Sequence, residues 1–147
     1  MRLRRRRSPT DVTILKRVTT VATIELERYL RGTSQQYHAC LEACVECLGA
    51  CEMCSDACLD EDNIKMLARC IRLDRDCAEA CAAAVRAMAR GGALAQEFCR
   101  MCADACAACA EECEKHAGHH DHCRICAEAC RRCEAECRKM AGMGARP

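Results

Sequence analysis

The sequence is poor in the large apolar side chains that normally build a protein core. Its 147 residues contain no Trp, one Phe and two Tyr, and Leu, Ile, Val and Phe together number only 21, about 14% of the chain. A share below roughly 20% is typical of disordered chains. Twelve of the 21 lie after Gly32, so the greater part of the chain cannot form an ordinary hydrophobic core. The shortage of aromatic rings also removes the platforms on which nucleic-acid bases stack.

Charge imbalance, long apolar runs and a secretion signal are also lacking. Lys and Arg number 23 against 22 Asp and Glu, so the chain has no basic excess for nucleic acid. Residues 4–7 are all arginine, but polar residues follow them instead of the apolar segment of an export signal. No apolar run is long enough to span a bilayer. The sequence predicts a cytosolic protein with reduced thiols and neither a membrane nor a nucleic-acid partner.

Cysteine is the residue that the sequence has in abundance. Sixteen of its 19 cysteines form three ladders whose steps alternate between three and four residues. Positions with this spacing share one face of a helix, as in a coiled-coil core. Thiols are therefore predicted to take the place of Leu and Ile on the buried faces of helices. The ladders are Cys40, Cys44, Cys47, Cys51, Cys54 and Cys58; Cys99, Cys102, Cys106, Cys109 and Cys113; and Cys123, Cys126, Cys130, Cys133 and Cys137.

This pattern predicts an all-α fold, an antiparallel four-helix bundle with a cysteine-lined core. Ala, Glu and Arg, which favour helix, dominate between the cysteines. The first helix is predicted to begin near Thr33 or Ser34 and to end at the acidic turn 60–63. The others are predicted at about 64–89, 93–115 and 121–141, and their short connections make neighbours antiparallel.

The second helix carries fewer cysteines than the other three. Its buried seam is predicted to combine three cysteines with four other residues. These are Cys70, Cys77 and Cys81, completed by Met66, Leu73, Ala84 and Met88.

The bundle is predicted to comprise residues 33–142, and the segments on either side are predicted to be separate from it. Residues 1–32 combine a basic tail with an amphipathic stretch at 12–31, which predicts an extra N-terminal helix that packs on the bundle or on a neighbouring subunit. Residues 143–147 are predicted to form a disordered tail.

Chain direction determines which residues meet at each end of the bundle. The loops after the first and third helices share one end, called here the mouth, where the acidic turn 60–63 meets a histidine-rich segment. Two interpretations of these histidines are open: a solvated polar loop, or a ligand cluster where ions enter and leave, since imidazole binds both copper and zinc. The mouth histidines are His116, His119, His120 and His122. The opposite end is predicted to gather His38, Cys40, Cys99, Cys137 and Met140.

Disulfide bonds and simple packing explain the cysteines poorly. Nineteen is an odd number, and side chains at i and i+4 of a helix stand about 5–6 Å apart at Cβ, beyond the ~3.5–4.5 Å of a disulfide. Buried free cysteine can act as a small hydrophobic residue, but this role would account for only a few of them. Metal binding by all 19 cysteines is therefore the leading interpretation.

The charge of the predicted core favours Cu(I) over zinc. Four thiolates around Zn²⁺ leave a charge of about −2, and the predicted core has no Lys or Arg to neutralise several such sites. Cu(I) is soft and monovalent, so one ion per thiolate leaves the core neutral. A two-coordinate ion can also bridge cysteines at i and i+4. Eight such pairs are present: Cys40/Cys44, Cys47/Cys51, Cys54/Cys58, Cys77/Cys81, Cys102/Cys106, Cys109/Cys113, Cys126/Cys130 and Cys133/Cys137.

Other functional classes stay open on the sequence alone. The main alternative is a broad thiolate buffer for zinc or other soft metals. An iron–sulfur protein needs four converging cysteines per cluster, and a thiol-redox protein needs an exposed cysteine with a lowered pKa. No Ser/His/Asp or phosphate-loop signature indicates an enzyme.

The cysteine ladders resemble a known family, the bacterial copper storage proteins of the cytosolic type. The similarity runs from about Tyr37 to Gly142. It is densest in CIRLDRDCAEACAAAVRAM (70–88), FCRMCADACAACAEECEKH (98–116) and HDHCRICAEACRRCEAECRKMAG (120–142). The resemblance implies a homotetramer of four-helix bundles whose inward cysteines bind many Cu(I) ions, largely through C-x-x-x-C pairs. It also implies that His116, His120 and His122 mark the open end. A copper chaperone is a further candidate partner, which the sequence does not identify.

Overall fold

The computed structural model describes residues 37–142, which form four helices and contain no strand. The helices are α1 (His38–Leu59), α2 (Ile64–Ala89), α3 (Ala95–His116) and α4 (Asp121–Gly142). The predicted all-α class is confirmed, and the boundaries predicted from residue 60 onward agree with the structure to within two residues. None of these helices is both long and apolar enough to cross a membrane.

Three predictions fall outside the described residues. They are the helix at 12–31, the start of the first bundle helix at Thr33 or Ser34, and the tail 143–147.

The helices pack in a ring in which α2 and α4 each lie between α1 and α3. Connections of four or five residues make each consecutive pair antiparallel. The turn after α2 is closed by two glycines, because Gly91 has a φ of 60°, a left-handed conformation that favours glycine. The Gly91 and Gly92 N–H groups donate to the carbonyls of Met88 and Ala87, which caps the end of α2. The predicted antiparallel bundle is thereby confirmed.

Sulfur occupies the centre of the bundle. All 19 cysteines are free, and each is at most 1% exposed. Alanines and a few larger side chains, including Leu41, Leu67 and Met88, fill the rest of the core. Neutral thiols can do so because buried free cysteine behaves as a small hydrophobic residue.

The seam of α2 differs from the prediction. Met66 is 72% exposed, so its assignment to the seam was wrong, whereas Leu73 is half-buried and packs against the core from beside the seam. The physical reason is that the alternation of three and four residues continues through this helix. It places Leu67 in the buried seam instead of Met66, and Asp74 instead of Leu73. The buried seam consists of Leu67, Cys70, Asp74, Cys77, Cys81, Ala84 and Met88.

Candidate metal centre

The sulfur atoms form an array that joins all four helices. Cys47 on α1 illustrates it, because its Sγ lies within 4 Å of sulfurs on each of the other helices. The Sγ–Sγ distances are 3.8 Å to Cys77, 3.8 Å to Cys106 and 3.6 Å to Cys130. Each cysteine ladder therefore faces the others across a narrow centre, and an ion held by one helix lies within reach of its neighbours.

Pairs at i and i+4 have the separation that a shared ion needs. A metal–thiolate bond is about 2.3 Å in zinc sites, so two sulfurs that share an ion must be no more than about 4.6 Å apart. Five of the eight predicted pairs have Sγ–Sγ distances of 3.9–4.0 Å. These five are Cys47/Cys51, Cys102/Cys106, Cys109/Cys113, Cys126/Cys130 and Cys133/Cys137.

Larger groups of ligands overlap with one another. In each of them, four ligand atoms lie within 4.8 Å of one another, and Cys47 and Cys51 each belong to two groups. Because sulfurs are shared, the groups cannot all be filled as independent four-sulfur sites. Bridging thiolates that serve several ions fit this arrangement better. Four of these groups are Cys44/Cys102/Cys133/Cys137, Cys47/Cys51/Cys77/Cys130, Cys47/Cys77/Cys81/Cys106 and Cys51/Cys109/Cys126/Cys130.

Burial without a neighbouring cation favours neutral thiols in the described part of the metal-free core. Hydrogen bonds between thiols shift the two partners in opposite directions, because they raise the pKa of Cys44 and Cys51 and lower that of Cys102 and Cys109. Burial raises the pKa of all four thiols. No Lys or Arg is buried among residues 37–142, so no fixed cation stabilises a thiolate. Metal ions must therefore displace protons when they enter.

Asp74 is a core residue that sequence reasoning missed. Its side chain is completely buried, and its Oδ1 accepts hydrogen bonds from the thiols of Cys109 (3.0 Å), Cys113 (3.4 Å) and Cys126 (3.5 Å). Burial raises the pKa of Asp74 to about 10. An ion held by these three sulfurs would also contact a carboxyl oxygen.

His122 joins the sulfur array to the mouth. Its Nδ1 lies 3.5 Å from Cys54 Sγ, 3.5 Å from Cys123 Sγ and 3.8 Å from Cys58 Sγ. These four residues form one of the compact ligand groups, and His122 is its partly exposed member. The structure thus brings a predicted histidine and three predicted cysteines together.

The turn between α1 and α2 meets the histidine-rich segment, as predicted. Glu61 Oε1 lies 3.1 Å from His122 Nε2 and 3.1 Å from His120 Nδ1. The hydrogen bond with His122 and the nearby His120 lower the pKa of Glu61. The sequence predicted the position of this acidic turn but not the role of Glu61.

The other histidines are placed differently. His116 Nε2 is buried and lies 3.5 Å from Glu112 Oε1, without a hydrogen-bond partner among the described residues. Glu112 also binds Arg69 and Lys115. His119 is exposed.

The end opposite the mouth is as predicted. Cys40 and Cys137 are 3.5 Å apart there, and hydrogen bonds with them raise the pKa of Cys99. Met140 is buried at this end, and His38 pairs with Glu42 on the surface.

Known proteins are similar to this chain in sequence and fold. Residues 33–142 match one family, described as copper storage protein. A cytosolic copper storage protein from Streptomyces lividans with five coppers is 43% identical, with a TM-score of 0.69 over 71% of this chain and 91% of that chain. The Streptomyces lividans protein Ccsp, loaded with 10 copper equivalents, is 39% identical, with a TM-score of 0.74 over 80% and 98%. The Cu(I)-bound storage protein BsCsp3 from Bacillus subtilis is 50% identical, with a TM-score of 0.69 over 73% and 99%.

Proposed function

The chain belongs to the copper storage protein family, and we propose that it stores many Cu(I) ions per molecule in the cytosol. The observation that carries this function is the array of 19 buried cysteines, whose sulfurs approach one another across all four helices. Storage requires many equivalent soft ligands, and this core supplies them in place of a hydrophobic interior. The role of the family is storage rather than catalysis.

Copper is favoured over zinc by the charge of the core and by the relatives. Several four-thiolate zinc sites would accumulate negative charge in a core that contains no buried Lys or Arg among the described residues. Solved relatives at 39–50% identity carry copper. The ligands proposed here are the 19 cysteines, with Asp74 in the middle and His116, His120 and His122 at the mouth.

The mouth is the proposed point of entry and exit. The thiols of Cys54, Cys58 and Cys123 are buried, whereas the His122 ring beside them is partly exposed. Thiolate is the softer ligand and is preferred by Cu(I), so an ion held by imidazole should exchange more readily than one in the sulfur core. An arriving ion would contact His122 and then pass to thiols within 4 Å of its Nδ1.

An anaerobic titration tests the storage function. Reduced protein should bind a number of Cu(I) ions that approaches the 19 cysteines, counted against a competing chromophoric chelator. Saturation near four ions per chain, about one for every four thiolates, would contradict the proposal and favour a zinc-type buffer.

A matched pair of variants provides the control for this count. The double variant Cys47→Ser/Cys51→Ser should lose only a few ions and stay helical by circular dichroism, since the other sulfurs still form an array. Met53→Leu, an exposed position on the same helix, should lose none. Complete loss of binding in the double variant would indicate one cooperative cluster instead.

A homotetramer is the proposed assembly, and the outer surface of the bundle supports it. Exposed apolar side chains lie on both sides of α2, on α1 and on α3. On α1, Val45 (49% exposed) lies along the same face of the helix as Ser55, which accepts a hydrogen bond from Arg75 on α2. Before α3, Leu94 (62% exposed) lies along the same face as Glu112, which pairs with Arg69 on α2. Exposed apolar stripes of this kind mark protein interfaces.

The side of the bundle around α4 is charged by comparison. Arg131 binds Glu114 on α3, Arg138 binds Asp104 on α3, and Arg132 binds Glu46 on α1. The interface is therefore assigned to the α2 side.

Size-exclusion chromatography with light scattering tests this assembly. The wild type is expected to be a tetramer. Val45→Glu/Leu94→Glu should dissociate it, because charges would be buried in the interface. Ile125→Glu, an equally polar change at an exposed position of α4, should leave the mass unchanged. A monomeric wild type would refute the assembly, and dissociation by Ile125→Glu alone would refute the assigned face.

A further inference from the structure

We propose that Glu61 is a positioning residue that leaves Nδ1 of His122 free to bind copper. The inference rests on the proposed function, in which His122 belongs to the mouth of the store. It concerns a residue on the turn between α1 and α2 that is itself not a proposed ligand.

The geometry consists of one carboxylate oxygen that faces the ring of His122. Glu61 Oε1 forms a hydrogen bond of 3.1 Å with His122 Nε2 and also lies 3.1 Å from His120 Nδ1, without a hydrogen bond to it. An ionised carboxylate only accepts hydrogen bonds, so His122 Nε2 must carry a proton. A neutral imidazole has a single N–H. In the neutral ring the free lone pair therefore lies on Nδ1 of His122.

This choice of tautomer directs the basic nitrogen of His122 at the sulfur array. Its Nδ1 lies 3.5–3.8 Å from the sulfurs of Cys54, Cys58 and Cys123. With the opposite tautomer, an N–H would point at the thiols, and the lone pair of Nε2 would face the carboxylate. A carboxylate that accepts from the second nitrogen also makes the first nitrogen a stronger donor to metal. Glu61 thus orients the ring and increases its basicity.

His120 lies beside this pair. Its ring centroid is 5.2 Å from that of His122, and its Nδ1 approaches the same Glu61 oxygen without a hydrogen bond. The tautomer of His122 is therefore the reporter of the influence of Glu61.

Nitrogen NMR of the reduced, metal-free, full-length protein tests the assignment directly. Long-range ¹H–¹⁵N correlation should show the neutral ring of His122 protonated at Nε2 in the wild type. Glu61→Ala should increase the share of the Nδ1–H form of His122, and Glu61→Gln, which keeps an acceptor oxygen, should increase it less. Asp62→Asn, in the same turn and without a hydrogen bond to either histidine among the described residues, is the matched control. Unchanged tautomers in Glu61→Ala would overturn the proposal.

Copper release separates positioning from a merely structural effect. In Glu61→Ala, the ion that a chromophoric chelator removes first should bind at least about 10-fold more weakly than in the wild type. A loss of this size is typical when the carboxylate partner of a ligating histidine is removed. The total count should stay within one ion of the wild type. In a His122→Ala background, Glu61→Ala should have no further effect.

The outcomes distinguish this proposal from the storage function. If Glu61→Ala weakens copper binding just as much in the His122→Ala background, Glu61 does not act through this ring. That result would overturn the positioning role. A wild type that binds only a few ions would refute storage, while the tautomer measurement would still test the positioning role of Glu61.

Discussion

Replacing Asp74 with asparagine is expected to stabilise the reduced, metal-free protein at pH 7. Burial raises the pKa of Asp74 to about 10, whereas an unfolded chain ionises near its ordinary value of about 3.9. Unfolding at pH 7 therefore releases a proton from this carboxyl, which favours the unfolded state by about 4 kcal/mol. Asparagine removes this contribution. The net gain is smaller by the cost of burying the amide among thiols, about 1–3 kcal/mol.

The pH dependence makes this prediction specific to the carboxyl. A raised folded pKa means that the stabilising contribution is fully present below about pH 4 and is lost as the pH rises toward 10. The difference in unfolding free energy between Asp74→Asn and the wild type should therefore grow by up to about 1.4 kcal/mol per pH unit. Urea unfolding at pH 5 and pH 7, under reducing anaerobic conditions at fixed protein concentration, measures it. An equal difference in unfolding free energy between variant and wild type at the two pH values would mean that Asp74 is already ionised in the folded protein.

The same residue shows where sequence reasoning failed and why. The repeat of three and four residues leads from Cys70 to position 74 and then to Cys77, so the pattern alone places Asp74 in the core. Residue chemistry suggested the neighbouring Leu73 instead, since a carboxyl group is rarely buried without a partner. In this core the thiols are the partners. The period was thus a better guide than hydrophobicity, because the core itself is not built from hydrocarbon side chains.

At the ends of the bundle, the sequence predicts which segments meet but not which side chains make contact. Antiparallel order alone brings the turn 60–63 to the histidine-rich segment, because alternate loops share an end. It does not show that Glu61, and not Asp60 or Asp62, contacts His120 and His122. That choice depends on the backbone of a four-residue turn, where successive side chains point in different directions and no helical period applies. His116 differs, because it lies four residues after Glu112 within α3, and this spacing places the two side chains on one face of the helix.

Copper loading is expected to release protons in a number that changes with the degree of loading. The thiols of the metal-free core are expected to be neutral, because they are buried and no Lys or Arg is buried with them among the described residues. An isolated Cu(I) held by two thiolates at low loading should displace about two protons, so its affinity should rise about 100-fold per pH unit. As sulfurs become shared, the number should approach one proton per ion, or about 10-fold per unit.

A lightly buffered anaerobic titration with a pH indicator measures this release alongside the copper count. Two protons per ion at first and about one near saturation would show that thiolates bridge neighbouring ions and that the filled core is close to neutral. A constant four protons per ion is expected for separate Zn²⁺ sites with four thiolates, so the same titration with zinc is the control. Release of no protons would mean that thiolates exist before copper arrives, which would require a cation that the described core does not contain. The proton count therefore tests the charge argument on which the preference for copper depends.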